Sequence, residues 1–99
     1  MIRHIVMWGL TADTAEQREV DAAAITASLE RLVGEVASIR SLRVSRNAED
    51  VELNADLVLE IEFDDRAGLD EYLVHPEHLV AVDVIRPRVS ARAAIDVAG

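Results

Sequence analysis

The chain has 99 residues, enough for one domain of ordinary size. Its 19 acidic residues outnumber its 10 basic ones, and a net charge of −9 disfavours nucleic acids and anionic membranes as partners, because both select basic surfaces. The sequence has no cysteine, and every basic residue is arginine, which excludes disulfides, thiolate nucleophiles and Schiff-base lysines. The Ala-, Val- and Arg-rich composition suggests a bacterial source with a high-GC genome.

The first segment, Ile2 to Leu10, is apolar and branched, so it predicts a strand buried on both sides. Alternation places one set of side chains on one face: Ile2, His4, Val6, Trp8 and Leu10. The opposite face carries Arg3, Ile5, Met7 and Gly9. The apolar stretch is too short to cross a bilayer and no cleavage site follows it, which favours a cytoplasmic protein.

A helix is predicted next, capped by Asp13 or Thr14. Apolar residues at offsets 0, 4, 7, 8 and 11 form one helical stripe: Ile25, Leu29, Leu32, Val33 and Val36. Strands follow at residues 39–47 and 56–63, joined by a polar connection. In the second of these strands, Leu57, Leu59, Ile61 and Phe63 share one face.

Asp64 or Asp65 can cap another helical region, which Pro76 interrupts because proline lacks the amide hydrogen that a helix interior requires. Proline suits the first position of a helix, so a further helix is predicted from Pro76 to about Ile85. The last strand is predicted at roughly 88–97. One of its faces would carry Val89, Ala91, Ala93, Ile95 and Val97.

The predicted order β-α-β-β-α-β is that of an α+β ferredoxin-like fold with an antiparallel sheet, and residues 1–99 form a single domain. Helices in this fold cover only one face of the sheet. The other face would mix apolar with charged side chains: Ile5, Met7, Val58, Arg43, Glu60, Glu62, Arg88 and Arg92. Such a face suits a homodimer, since small chains gain most from shared burial; the alternative is a solvated face with incidental ion pairs.

Residues 72–78, Tyr-Leu-Val-His-Pro-Glu-His, are the one concentration of chemically versatile side chains. His78 is suited to proton transfer near neutral pH, and the Tyr72 hydroxyl could hydrogen-bond a substrate oxygen or enolate. His4 could complete the pocket wall. The alternative interpretation is structural, with Tyr72 in the core and His75 as a helix cap. His75 and His78 lack a third ligand, so no metal site is predicted.

Three segments in order carry a resemblance: residues 2–6, 56–63 and 72–78. They resemble the stress-responsive A/B barrel domain (Dabb) family from Met1 to about Val97. The most specific segment is Tyr-x-x-His-Pro-x-His after a strand ending in Phe. The resemblance implies a dimeric α+β barrel in which two ferredoxin-like subunits pack sheet against sheet.

A plant polyketide cyclase of this family closes a ring by aldol condensation without a cofactor. By this resemblance Tyr72 orients the substrate, His78 is the general base, and His4 is a further pocket histidine. Leu57 stands where that cyclase has another pocket histidine, and Gly9 and Leu10 replace a basic residue, which implies a more apolar pocket. We expect the pocket wall to consist of His4, Trp8, Leu57, Leu59 and His75.

Three functional hypotheses follow. The first is a homodimer that binds an apolar, oxygenated small molecule and carries out cofactor-free proton transfer of the cyclase or isomerase type. The second is a non-catalytic stress-response or ligand-binding protein. The third, by fold analogy alone, is a cofactor-free monooxygenase.

Overall fold

The computed structural model describes all 99 residues, in four strands, three α-helices and one short 3₁₀ turn. In chain order they are β1 (Ile2–Leu10), α1 (Ala15–Glu30), β2 (Ile39–Arg46), β3 (Leu57–Phe63), α2 (Arg66–Val74), α3 (Pro76–Ile85), the turn Arg86–Arg88 and β4 (Val89–Ala98). The predicted element order is therefore confirmed. None of the helices combines the length and the apolar character that crossing a membrane requires.

The four strands form one antiparallel sheet in the order β2-β3-β1-β4. This is the ferredoxin-like arrangement that the sequence predicts. β1 lies between β3 and β4, so its residues from Ile2 to Trp8 have a cross-strand neighbour on each side. Trp8, for example, lies opposite Leu57 on β3 and Arg92 on β4.

The hydrophobic core lies between the sheet and the helices, and 16 buried residues form it. β3 illustrates the cause, because every second residue from Leu57 to Phe63 is buried while those between are half-exposed. Thr14 begins α1 by accepting a hydrogen bond from the Gln17 amide. Ile25 and Leu29 of α1 then pack into the core.

α1 ends earlier than its apolar stripe indicates. The helix stops at Glu30 and the chain continues in turns that pass Gly34, whose φ of +91° favours glycine. Leu32 and Val36 are buried from these turns, whereas Val33 is 56% exposed. The prediction that Val33 shares the buried face was wrong, because the turns break the helical period that the stripe assumes.

The register of β4 corrects a second prediction. A shift between Gly9 and Leu10 places Val89 opposite Leu10, so Val89 packs against the core and does not share a face with Ala91, Ala93, Ile95 and Val97. Arg92 lies opposite Trp8, on the helix-covered side. Arg88 also reaches that side, where its Nε lies 3.5 Å from an Asp21 oxygen on α1. Neither arginine belongs to the opposite face, where the sequence pattern put them.

The face of the sheet that no helix covers is called the open face below. Cross-strand neighbours on it include Ile5 with Ile95, Met7 with Ala93, and Arg43 with Glu60. Met7 is 42% exposed in the single chain. β1 is therefore buried on one side only within one subunit, and its second apolar face is left without a partner.

Candidate functional site

A cavity of about 300 Å³ lies between the sheet and the helices. Its walls are largely apolar, with contributions from Val6, Trp8, Leu29, Leu59 and Val82. Its polar lining consists of His4, Tyr72, His78, Arg86 and Arg92. The cavity thus has apolar walls and a few polar groups that point into it, which is the usual composition of a small-molecule site.

Tyr72 lies on α2, which begins where the Asp65 side chain accepts a hydrogen bond from the Gly68 amide. Tyr72 is buried, with 1% of its surface exposed to solvent. The phenol ring packs 5.4 Å from Phe63 and 4.3 Å from His78 between ring centroids. Burial raises the pKa of Tyr72 well above its ordinary value, so the hydroxyl keeps its proton and is a hydrogen-bond donor at neutral pH.

His78 owes its position to the helix break at Pro76. α2 ends at Val74 and α3 begins at Pro76, so the first turn of α3 brings the His78 ring against Tyr72. Its Nδ1 lies 3.2 Å from the Leu73 carbonyl oxygen. A carbonyl only accepts, so Nδ1 carries the proton and donates it, and the lone pair of the neutral ring is on Nε2.

The protonation of His78 is set by its surroundings. Burial is the main cause that lowers its pKa, and the charges of His4, Arg92 and His75 lower it further, while the bond to the Leu73 carbonyl acts in the opposite direction. The result is a pKa below the ordinary value of 6.5. The imidazole is therefore neutral at physiological pH, which is the state that a general base requires.

His4 supplies a second imidazole to the same cavity. It is buried on β1, its ring centroid lies 5.9 Å from that of Tyr72, and its Nδ1 lies 2.6 Å from a carboxylate oxygen of Asp96. Asp96 is its direct cross-strand neighbour on β4. A carboxylate at Nδ1 orients the ring and favours a lone pair on Nε2. Sequence reasoning missed Asp96, although strand alternation together with the β4 register would have found it.

The two arginines of the cavity were also missed as site residues. Arg92 projects from β4 beside Trp8, and Arg86 follows the last residue of α3. Both line the cavity. Leu57, Gly9 and Leu10 differ from the residues of the polyketide cyclase, and from these differences we expected a more apolar pocket. Arg92 and Arg86 nevertheless give the cavity positive charge, from β4 and from the turn after α3.

The structure brings most of the predicted site residues together. Tyr72, His78, His4, Trp8 and Leu59 all line the cavity.

Two predicted wall residues lie outside the cavity. Leu57 is buried nearer the end of β2, beside Arg46 and Asn54. His75 caps α3, and its Nδ1 accepts a hydrogen bond from the Glu77 amide at 3.1 Å. Histidine and acidic side chains do not gather in groups of three that could hold a metal ion.

The family model of the stress responsive A/B barrel domain matches residues 2–98. The chain belongs to this family, Dabb. A dimeric ferredoxin-like protein of unknown function from Bacteroides fragilis is 28% identical to it, with a TM-score of 0.87 and coverage of 97% of this chain and 93% of that one. A Dabb protein from Mesorhizobium loti is 21% identical, with a TM-score of 0.80 and coverage of 99% and 95%.

Two enzymes share the fold at lower identity. A hydroxynitrile lyase from Passiflora edulis is 14% identical, with a TM-score of 0.79 and coverage of 97% of this chain and 90% of that one. An antibiotic biosynthesis monooxygenase is also 14% identical, with a TM-score of 0.76 and coverage of 100% and 98%. At this identity the likeness is one of fold alone. Among curated proteins, none matches this Dabb chain.

Proposed function

We propose that this Dabb protein binds an apolar, oxygenated small molecule in its cavity and moves a proton next to a carbonyl group without a cofactor. One observation carries the proposal: the protonated Tyr72 hydroxyl and the neutral His78 ring lie side by side on an apolar cavity. An acid and a base with opposite pKa shifts in one site are the pairing that proton transfer requires.

The proposed reaction begins with His78. Its Nε2 takes a proton from the carbon beside the carbonyl, and the electron pair of the broken C–H bond moves onto the carbonyl oxygen. The Tyr72 hydroxyl donates a hydrogen bond to the enolate oxygen that forms. The hydrogen bond from Nδ1 to the Leu73 carbonyl holds the ring while it is an imidazolium.

The enolate then has two outcomes. Return of the proton from His78 to carbon gives isomerisation or simple exchange. Attack of the enolate carbon on a second carbonyl of the same molecule forms a carbon–carbon bond, and the alkoxide takes up the proton from His78, which is an aldol cyclisation. The His4 ring, which is buried and bonded to the exposed Asp96, is close enough to Tyr72 to bind a second oxygen of such a substrate.

We also propose that the working unit is a homodimer joined through the open face. Ile5 and Ile95 form an apolar centre on that face, and Arg43 beside Glu60 gives it charges of both signs. Two such faces related by a twofold axis could each bury the apolar centre of the other. The dimeric state of the Bacteroides fragilis neighbour supports this proposal.

The experiment is deuterium exchange of the neutral diketone benzoylacetone in D₂O, followed by proton NMR. We expect His78→Asn to lower the exchange rate by about 100-fold or more, because a general base contributes roughly 10²–10⁴. Tyr72→Phe should lower it by about 10²–10³ through loss of the oxyanion donor. His75→Asn is the matched control, since asparagine retains the helix cap outside the cavity and should leave the rate unchanged.

Two other results would point to the competing hypotheses. Binding of benzoylacetone with exchange no faster than in buffer would make the protein a ligand-binding module without turnover. Oxygen consumption with an electron-rich phenol, measured with an oxygen electrode, would favour a cofactor-free monooxygenase. Equal rate losses in His75→Asn and His78→Asn would assign the cluster a structural role.

A further inference from the structure

Two of the ten arginines differ from the others because they have no acidic partner within the chain. Of the ten arginines, six form ion pairs with carboxylates: Arg18, Arg31, Arg40, Arg46, Arg66 and Arg88. Arg3 and Arg43 lie on the open face directly opposite Glu62 and Glu60. Arg86 and Arg92 are left, and they line the same cavity.

The absence of acidic partners at these two positions is unusual for this chain. It has 19 acidic residues, yet none of them lines the cavity. The remaining lining is apolar except for His4, Tyr72 and His78. Arg86 and Arg92 are exposed residues, so their guanidinium groups line an apolar cavity from its solvent side, and no acidic side chain of the lining neutralises them.

Arg92 also lies close to the proposed chemistry. It is the cross-strand neighbour of Trp8, and both residues line the cavity. Its charge acts on both Tyr72 and His78 and lowers the pKa of each. An anion bound by Arg92 would therefore be within electrostatic reach of both groups.

From this arrangement we infer that the cavity recognises a carboxylate, held by Arg92 and Arg86, on a small molecule with an apolar body. The planar guanidinium fork matches the two oxygens of a carboxylate and binds them with paired hydrogen bonds. The inference rests on the proposed function and narrows its substrate class to oxo acids. Their carboxylate would bind the arginines, and their ketone would lie at Tyr72 and His78. A volume of about 300 Å³ is at the lower end for ligand sites, which favours a body of about one ring.

The test compares two probes of the same shape, 3-phenylpropionate and its neutral amide, 3-phenylpropionamide, by NMR titration. The wild-type protein should bind the carboxylate about tenfold or more tightly than the amide, the difference expected for hydrogen bonds to a charged group. Arg92→Gln and Arg86→Gln should each weaken carboxylate binding by about tenfold and leave amide binding unchanged. Arg66→Gln is the matched control, because it removes the same charge from an exposed site on α2.

The outcomes separate this inference from the proposed function. Equal affinity for the two probes, or equal losses in Arg66→Gln and Arg92→Gln, would overturn carboxylate recognition and leave proton transfer intact. Carboxylate binding with no exchange of benzoylacetone would overturn proton transfer and leave the anion site intact. Failure of both probes to bind would overturn the carboxylate site, whatever the neutral diketone does.

Discussion

The two faces of the sheet differ in what their side chains contact. On the helix-covered face, Val6 and Ile61 are buried in the core, and His4 joins Asp96 beside the cavity. On the open face, Ile5 and Ile95 lie next to each other without any helix above them. Alternate residues of the same strand thus have different surroundings. One set lines the core and the cavity, and the other has no helix above it within the chain.

β3 and β4 show how strand position changes this division. β3 lies inside the sheet and buries every second residue, while β4 is an edge strand whose residues are mostly exposed. The edge position lets Arg92 and Asp96 of β4 reach toward the site while staying in contact with solvent. Charged groups on an edge strand can therefore serve a cavity without the desolvation cost of full burial.

The largest expected effect concerns association. Ile5→Glu places a carboxylate at the centre of the open face, beside Glu60, and a dimer would bring two copies of it together. We expect light scattering to give twice 10.9 kDa for the wild-type chain and 10.9 kDa for Ile5→Glu. Val51→Glu, in the exposed connection between β2 and β3, is the control and should stay dimeric. A wild-type mass of 10.9 kDa would refute the dimer.

The next largest effect is on the free energy of unfolding, and it compares an isoleucine-to-alanine substitution on each face of the sheet. Ile61 is 0% exposed and Ile95 is 58% exposed within the chain. In the monomeric Ile5→Glu background, Ile61→Ala should lower the free energy of unfolding by about 2–5 kcal/mol, because it leaves a core cavity. Ile95→Ala should change it by about 0.5 kcal/mol or less, as surface substitutions do. Urea denaturation measures both, and equal losses would mean that the open face is packed within one subunit.

Much of the fold was predictable because it depends on local patterns. Strict alternation predicted β3, and Pro76 predicted the division between α2 and α3. The end of α1 was not predictable from periodicity, since Leu32 and Val36 keep a helical spacing although they are buried from turns. Gly34 was the available signal, because glycine is common just beyond a helix end.

The site was predictable where its residues are close in sequence. Tyr72 and His78 share one short segment, and the pattern of polar groups around a proline predicted them. Arg92 and Asp96 depend on the register of β4 against β1, which a shift between Gly9 and Leu10 changes. A shift of one residue exchanges the faces of a strand. Sequence alternation alone therefore put Arg92 on the wrong side.

The smallest expected effect is that of pH, which should change the exchange rate at the cavity and leave association through the open face unaffected. The neutral form of His78 is the proposed base and its pKa lies below 6.5, so the exchange rate should be constant above about pH 7. It should then fall by about tenfold per pH unit once the pH is below that pKa, because protonation removes the base. The strands of the open face carry no titrating histidine there, so the dimer mass should not change between about pH 7 and 5.5.

The substitution Asp96→Asn tests whether His78 or His4 is the general base in the exchange reaction. It removes the carboxylate bound to His4 and leaves the contact between His78 and the Leu73 carbonyl in place. If His78 is the base, the midpoint of the rate profile should stay where it is in the wild type. A loss of exchange rate in Asp96→Asn as large as the loss in His78→Asn would assign the base to His4, because the substitution removes the carboxylate that orients the His4 ring. In that case the catalytic pair on the helix-covered face would be His4 with Tyr72, and the helix break at Pro76 would serve only to position the phenol.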